Sequence, residues 1–280
     1  MKKYILFILM TGVAFSCDLL DDLEDDNGTG PDIVAGLKEA LRVGTDTATK
    51  KLAVVDGYLK DQAVKILLPD ELETQIANFK AINIEIFGLG TFTGEDIYNT
   101  GIPELGINSL ASLEDDLISG INRAAESAAS EAGPIFFNAI TAMTIQDANN
   151  ILFGPDDAAT TYLIDNTYTS LFNTYEPKIN NAISAVRVGN GSVEELYASF
   201  VEEYNSILSQ TIPVSLLETN TLAEIAGLEL LSEPDLSQFA TERGLDGLFL
   251  KIEEEEANIR KDPLARVTDL LEEVFGLLDS

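Results

Sequence analysis

Apolar residues recur along this chain at intervals of three and four, and those intervals define most of its elements. Val34, Leu37, Leu41, Ala48, Leu52 and Val55 put one apolar face on a helix opened by Pro31-Asp32 and closed by Gly57. Pro69 fits the first position of a second helix running to about Ile82. Leu110, Leu113, Leu117, Ile121, Ala124 and Ala128 line a third, with Ser112 and Asp115 as a capping-box variant. Pro134 starts a fourth, with Ile135, Phe136, Ala139, Ile140 and Met143 on its core side. Thr144 caps a short helix to Phe153, and Asp156 or Asp157 caps a long one reaching about Val188, kinked or broken at Pro177.

The later part reads in the same way. Ser192 and Glu195 form a capping box for a helix to about Ser209, and a further helix is expected near 221–231. Pro234-Asp235 opens a block with the stripe Leu245, Leu248, Phe249, Ile252 and Ile259. Asp262-Pro263 breaks it. Leu264, Val267, Leu271, Val274, Phe275 and Leu278 then make the final helix. One region departs from this period. Ile82, Ile84 and Ile86 alternate with Asn83 and Glu85, and six Gly or Pro residues follow, so 82–109 reads as an irregular insertion with room for a short hairpin. The expectation is an all-α, single multi-helix domain over 31–280, built from about nine or ten helices. The stretch 121–163, with its small residues and helix stops, is its packing centre.

The first thirty residues follow a different logic. Lys2 and Lys3 precede an apolar run from Tyr4 to Phe15, too short to span a bilayer. Ser16-Cys17 and an acidic stretch follow. The arrangement resembles a bacterial lipoprotein signal: residues 1–16 removed, Cys17 lipidated (palmitate included), and 17–30 an acidic flexible tether. Ala14 stands where such signals usually carry leucine, three residues before the cysteine. The alternative is an ordinary signal peptide with Cys17 buried in the fold. An acidic run directly after the cysteine resembles the surface-export signals of some Bacteroidetes-type lipoproteins. The expected location is therefore the cell envelope, as an outer-membrane lipoprotein facing the periplasm or the outside. The tether is not an EF-hand loop: aligned on Gly30, Asp25 and Asn27 fit, but Thr29 and Gly36 stand where oxygen ligands belong.

Composition removes several chemistries. There is no histidine, so no Ser-His-Asp or Cys-His system and no His-ligated metal is available. A single cysteine excludes an internal disulfide and a multi-Cys zinc site. The net charge of −31 repels phosphate backbones, so nucleic acid is discounted as a partner. No cofactor motif is present, and no residue is assigned a catalytic role.

Six blocks carry a further resemblance: GLKEALRVGTDTA (36–48), LPDELE (68–73), NRAAESA (122–128), MTIQDANNILFGPDDAAT (143–160), GLDGLFLKI (244–252) and EEEANIRKDPLARVTDLLEEVFG (254–276). In this order they resemble a bacterial exported family known only as a domain of unknown function, number four-one-nine-seven. The resemblance implies an all-α exported domain and brings no catalytic residues. Residues 91–110 look like an insertion relative to that pattern, and 188–235 match it loosely.

Candidate chemistry falls on a few charged positions. On a helix, Glu256 lies at the centre of the stripe made by Leu245, Phe249, Ile252 and Ile259. A carboxylate there is expected to be buried and paired, with Arg260 one turn on, or with Arg123 or Arg266 across the fold. A structural clasp, a ligand site and acid–base work all remain open. Asn122, Arg123 and Glu126 share the polar face of their helix, either in solvent or lining a cleft where they meet Glu256 or Arg266. Asp156 and Asp157 are weak metal candidates if they join Glu253–Glu256. Three functions are carried forward. The first is a non-enzymatic helical module binding an unknown protein or small apolar ligand, which a pocket lined by Phe136, Phe137 and Phe249 would favour. The second is a carboxylate-dependent hydrolase of glycan, which needs two facing acids in an open cleft. The third is a calcium-dependent scaffold, which needs three or more converging acidic oxygens.

Overall fold

The computed structural model describes residues 32–189, 191–232 and 235–279. The signal segment, Cys17 and the tether lie outside these residues, as does Pro234. The fold is mostly α: eleven helices and three two-stranded antiparallel hairpins among the described residues.

Helix α1 (Ile33–Leu52) starts where Asp32 accepts a hydrogen bond from the Ala35 amide, and it ends with Lys50 and Lys51 in its last turn. It stops five residues short of Gly57. Beyond it the chain turns through Asp56, whose φ of 72° is left-handed, a conformation Asp tolerates better than most residues. Helix α2 is Asp70–Lys80, with Pro69 just before it rather than inside.

Region 82–109 departs from the helical frame as expected and holds the short hairpin that its alternation allows, followed by a short helix. Strands β1 (Asn83–Ile86) and β2 (Gly90–Thr93) pair with Ile84 opposite Phe92 and Ile86 opposite Gly90. Ile84 and Ile86 are buried while Asn83 and Glu85 are exposed, as their alternation requires. Thr93 then caps α3 (Gly94–Thr100). Elements of four to seven residues hold too few periods to announce themselves in sequence.

Helix α4 (Ala111–Ala129) buries Leu117, Ile121, Ala124 and Ala128 as predicted. Ser112 makes no cap, because it already lies inside the helix and Leu110 holds the cap position. Helix α5 (Ala132–Ala142) begins two residues before Pro134, whose missing N–H falls in the first turn, where no intrahelical acceptor exists. Helix α6 (Ile145–Leu152) has the full Thr144–Asp147 capping box. Helix α7 (Ala158–Ala185) runs through Pro177 without a break.

A two-residue hairpin, β3 (Arg187–Val188) with β4 (Gly191–Ser192), leads into α8 (Val193–Ser209) and its Ser192–Glu195 box. The expected helix near 221–231 is mostly something else. Strands β5 (Thr211–Pro213) and β6 (Thr219–Thr221) form a hairpin, and α9 is only Leu222–Ala226, ended by left-handed Gly227. Helix α10 (Leu236–Lys261) follows, capped by Asp235. The last helix, α11, is Asp269–Phe275. Leu264 and Val267 are not part of it: they sit 90% and 68% exposed in the connection.

One hydrophobic core runs through the molecule. Helix α10 lies against α7, α1 and α4; α4 in turn packs on α7 and α8; α1 also holds α5, α6 and α11. The 121–163 stretch contributes Ile121, Ala124, Phe136, Leu152 and Leu163 to that core.

Candidate functional site

The six charged and polar candidates fall into two groups with separate partners. The first centres on the junction between α6 and α7. A helix leaves four amides unpaired at its start and four carbonyls at its end. Asp157 holds the cap position of α7, yet its side chain makes no cap bond. Glu256, from α10, does that work instead. Its Oε1 accepts from the Ala159 amide at 3.0 Å, and its Oε2 from the Thr160 amide and hydroxyl, both at 2.8 Å. Arg260 Nε donates to the same Oε1 at 2.9 Å. Its other nitrogens donate to the carbonyls that end α6, Ile151 at 2.7 Å and Leu152 at 3.2 Å.

One buried ion pair thus caps two helix ends at once. The carboxylate meets the positive start of α7 and the guanidinium the negative end of α6, which is the favourable sense for both dipoles. A carboxylate has about four lone-pair directions, and Glu256 receives four donors. Arg266, also buried, repeats the device on α10 itself. It donates to the Ile259 and Arg260 carbonyls at 3.1 and 3.0 Å and grips Asp279 at 2.5 and 2.8 Å. That grip holds the Asp279 carboxyl below the usual carboxylate range.

The second group covers the polar face of α4. Asn122 pairs both faces of its amide with the Ile66 backbone, accepting at 2.9 Å and donating at 2.7 Å. It also donates to the Ile118 carbonyl. Glu126 accepts from the Tyr58 amide at 3.2 Å and the Leu59 amide at 3.4 Å. Arg123 joins Glu126 to Asp56, at 2.7 and 2.5 Å. This face therefore looks neither into solvent nor into a cleft: the connection between α1 and α2 lies over it. The meeting of Arg123 or Glu126 with Glu256 or Arg266 does not occur: Arg123 is taken up by Glu126 and Asp56, Glu256 by Arg260 and the start of α7, and Arg266 by Asp279 and the end of α10.

The same connection is pinned from outside. Lys60 and then Arg123 hold Asp56 below the ordinary aspartate range, and Lys251 does the same for Asp61. Burial alone would lower the Lys251 pKa, but its bonds to Asp61 and Glu254 outweigh that and leave it raised. Tyr58 is buried with its hydroxyl on the Gly244 carbonyl, and burial pushes its pKa well up. Sequence reading missed Asp56, Asp61, Lys251, Thr160 and Asp279. The Asp56-Gly57 turn dipeptide was the one local signal among them.

The remaining discriminating features come out as follows. Asp156 pairs with Lys261 at 2.5 Å on the surface, and no group of three acidic or other ligand side chains converges among the described residues. Phe136 packs edge-on to Phe249 in the core, whereas Phe137 is 61% exposed, so the three do not line one pocket. The void beside Glu256, against Leu37, Leu41 and Phe275, measures about 20 Å³. That is room for one water. A larger, open groove of about 670 Å³ is lined by α1 and α5 and includes Phe137. No helix among the described residues is long and apolar enough to cross a membrane.

An all-α domain whose buried charges close helix ends is the class these observations define. The chain belongs to the family described as Protein of unknown function (DUF4197), whose model matches residues 28–86 and 102–276. The unmatched internal segment is 87–101, narrower than the insertion expected from sequence, and 188–235 lies within the match. Neither the curated proteins nor the solved structures give a match to this chain.

Proposed function

We propose that this protein is a lipid-anchored helical module of the bacterial outer membrane that acts by binding and not by catalysis. The observation that carries the reading is the state of its buried acids. Glu256 and Glu126 are the buried carboxylates among the described residues, and both are committed to backbone amides and an arginine. Freeing either for proton transfer would uncap a helix or release the connection after α1. What the molecule offers to others is surface: the α1–α5 groove and several exposed apolar side chains. The void at Glu256 is too small for an apolar ligand, which favours a macromolecular partner or the open groove.

The anchor is tested by mass spectrometry of the amino-terminal peptide of protein extracted from its own envelope. A diacylglyceryl and fatty-acyl mass on Cys17 is expected, with loss of membrane fractionation in Cys17→Ala. An unmodified thiol on a soluble chain refutes the anchor. Native mass spectrometry of the same material tests binding: a co-purified protein or ligand supports it, and a bare monomer counts against it.

A further inference from the structure

Two hairpin tips lie side by side. The turn after β1, Phe87-Gly88-Leu89, and the turn after β5, Val214 to Leu217, are joined by a hydrogen bond from the Phe87 amide to the Pro213 carbonyl at 3.0 Å. Turns are normally polar and rich in Gly, Asn and Asp. Here Phe87, Leu89, Leu216 and Leu217 are 50, 46, 83 and 99% exposed. The first tip carries no charge, with the exposed Glu85 behind it on β1; the second carries one, the exposed carboxylate of Glu218, which closes the turn before β6.

We infer that the paired tips form an apolar prong that enters the surface of an electrically neutral lipid bilayer. Three features favour lipid over a protein partner. Protein interfaces draw their energy from Trp, Tyr and Arg, with Leu under-represented, whereas three of these four residues are leucine. Apolar solvent demands that backbone groups be satisfied within the chain. Five of the tip amides are paired within the chain: Leu89 donates to the Ile86 carbonyl, Val214 and Ser215 to the Glu218 carbonyl, Phe87 to the Pro213 carbonyl and Leu217 to the Ser215 hydroxyl. The third feature rests on the anchor proposed above. From Cys17 to Asp32 the chain reaches on the order of 50 Å, enough to hold the domain on the membrane while it turns the prong inward. Neutral lipid is specified because Glu85, Glu218 and the net charge of −31 oppose anionic headgroups. The first tip lies in 87–101, between the two segments that the family model matches.

The test uses the full chain carrying Leu217→Cys, labelled there with a polarity-sensitive fluorophore and placed on phosphatidylcholine vesicles containing a bilayer-embedded nitroxide. Leu217 is almost wholly exposed, so the substitution leaves the fold intact. Leu264→Cys, on an exposed residue of another connection, is the comparison. The expected result is a blue shift and loss of most emission at 217, little change at 264, and a weaker effect on phosphatidylglycerol vesicles. An unquenched label at 217 on vesicle-bound protein overturns the inference, as does equal quenching at both positions. A blue shift at 217 without vesicles also overturns it, by showing a second copy as the occupant. The anchor is read separately from the number of labels per chain. A lipidated Cys17 leaves one reactive thiol; two labels mean that the anchor reading fails, and Cys17→Ser then lets the tip be read alone.

Discussion

Glu256 shows how one carboxylate replaces several local devices. Asp157 has the right side chain at the right position to cap α7, but the amides point to Glu256 across the interface. Replacing Glu256 with Gln leaves Arg260 buried without its counter-charge and weakens the cap. The expected loss is about 3 kcal/mol, read from the urea midpoint. Ordinary buried ion pairs are often replaceable by hydrophobic residues of similar volume. This one differs, because E256L/R260M also strands the amides of α7 and the carbonyls of α6; no recovery relative to E256Q is expected. Asn122→Asp preserves size but removes the donations to Ile66 and Ile118 and sets a charge against two carbonyls. It should cost about 2 kcal/mol and loosen the connection between α1 and α2, measured by hydrogen exchange across 58–68.

Between elements, closeness of approach decides what a helix tolerates. Alanine is better than glycine inside a helix by about 1 kcal/mol, so α1 offers a matched pair of sites. A Cβ on Gly44 meets nothing nearer than Glu255 Cβ at 3.7 Å, an ordinary contact. Gly44→Ala should raise stability by up to about 1 kcal/mol. A Cβ on Gly36 comes within 2.3 Å of Val274 on α11. There overpacking outweighs propensity, and Gly36→Ala should lose about 1–3 kcal/mol. Because α11 has only seven residues, its amides are expected to exchange faster in that variant.

At the scale of the whole molecule, acid should reveal the pinned connection. Asp56, Asp61 and Asp279 all have carboxyl groups held below their usual values, by Lys60 and Arg123, by Lys251 and by Arg266 respectively. A carboxylate whose pKa is lower in the folded state contributes stability above its unfolded value and loses it as pH falls through the folded one. Melting temperature should therefore be level from pH 7 to about 5 and fall below about pH 4. Asp56→Asn should lower it at pH 7, and the two curves should converge at the acid end. A constant gap at every pH would show that Asp56 acts through the shape of its turn and not through its charge.

Much of this was legible along the chain. The apolar faces of α1, α4 and α10, the capping boxes at Thr144 and Ser192, and the burial of Glu256 beside Arg260 follow from spacing, since helix periodicity and cap chemistry are local. The family, too, was recognisable from six blocks in order. What spacing could not supply was every relation between distant segments. The β5–β6 hairpin, the exposure of Leu264 and Val267, and the shortness of α9 and α11 depend on which surfaces remain uncovered after packing. The same holds for the candidate residues. Sequence marked Asn122, Arg123 and Glu126 as one polar face, and only the tertiary structure laid the Asp56–Leu68 connection over it. Sequence made Arg260 the partner of Glu256, and only the fold brought two helix ends to the pair, because unpaired amides and carbonyls take whichever charge packing delivers.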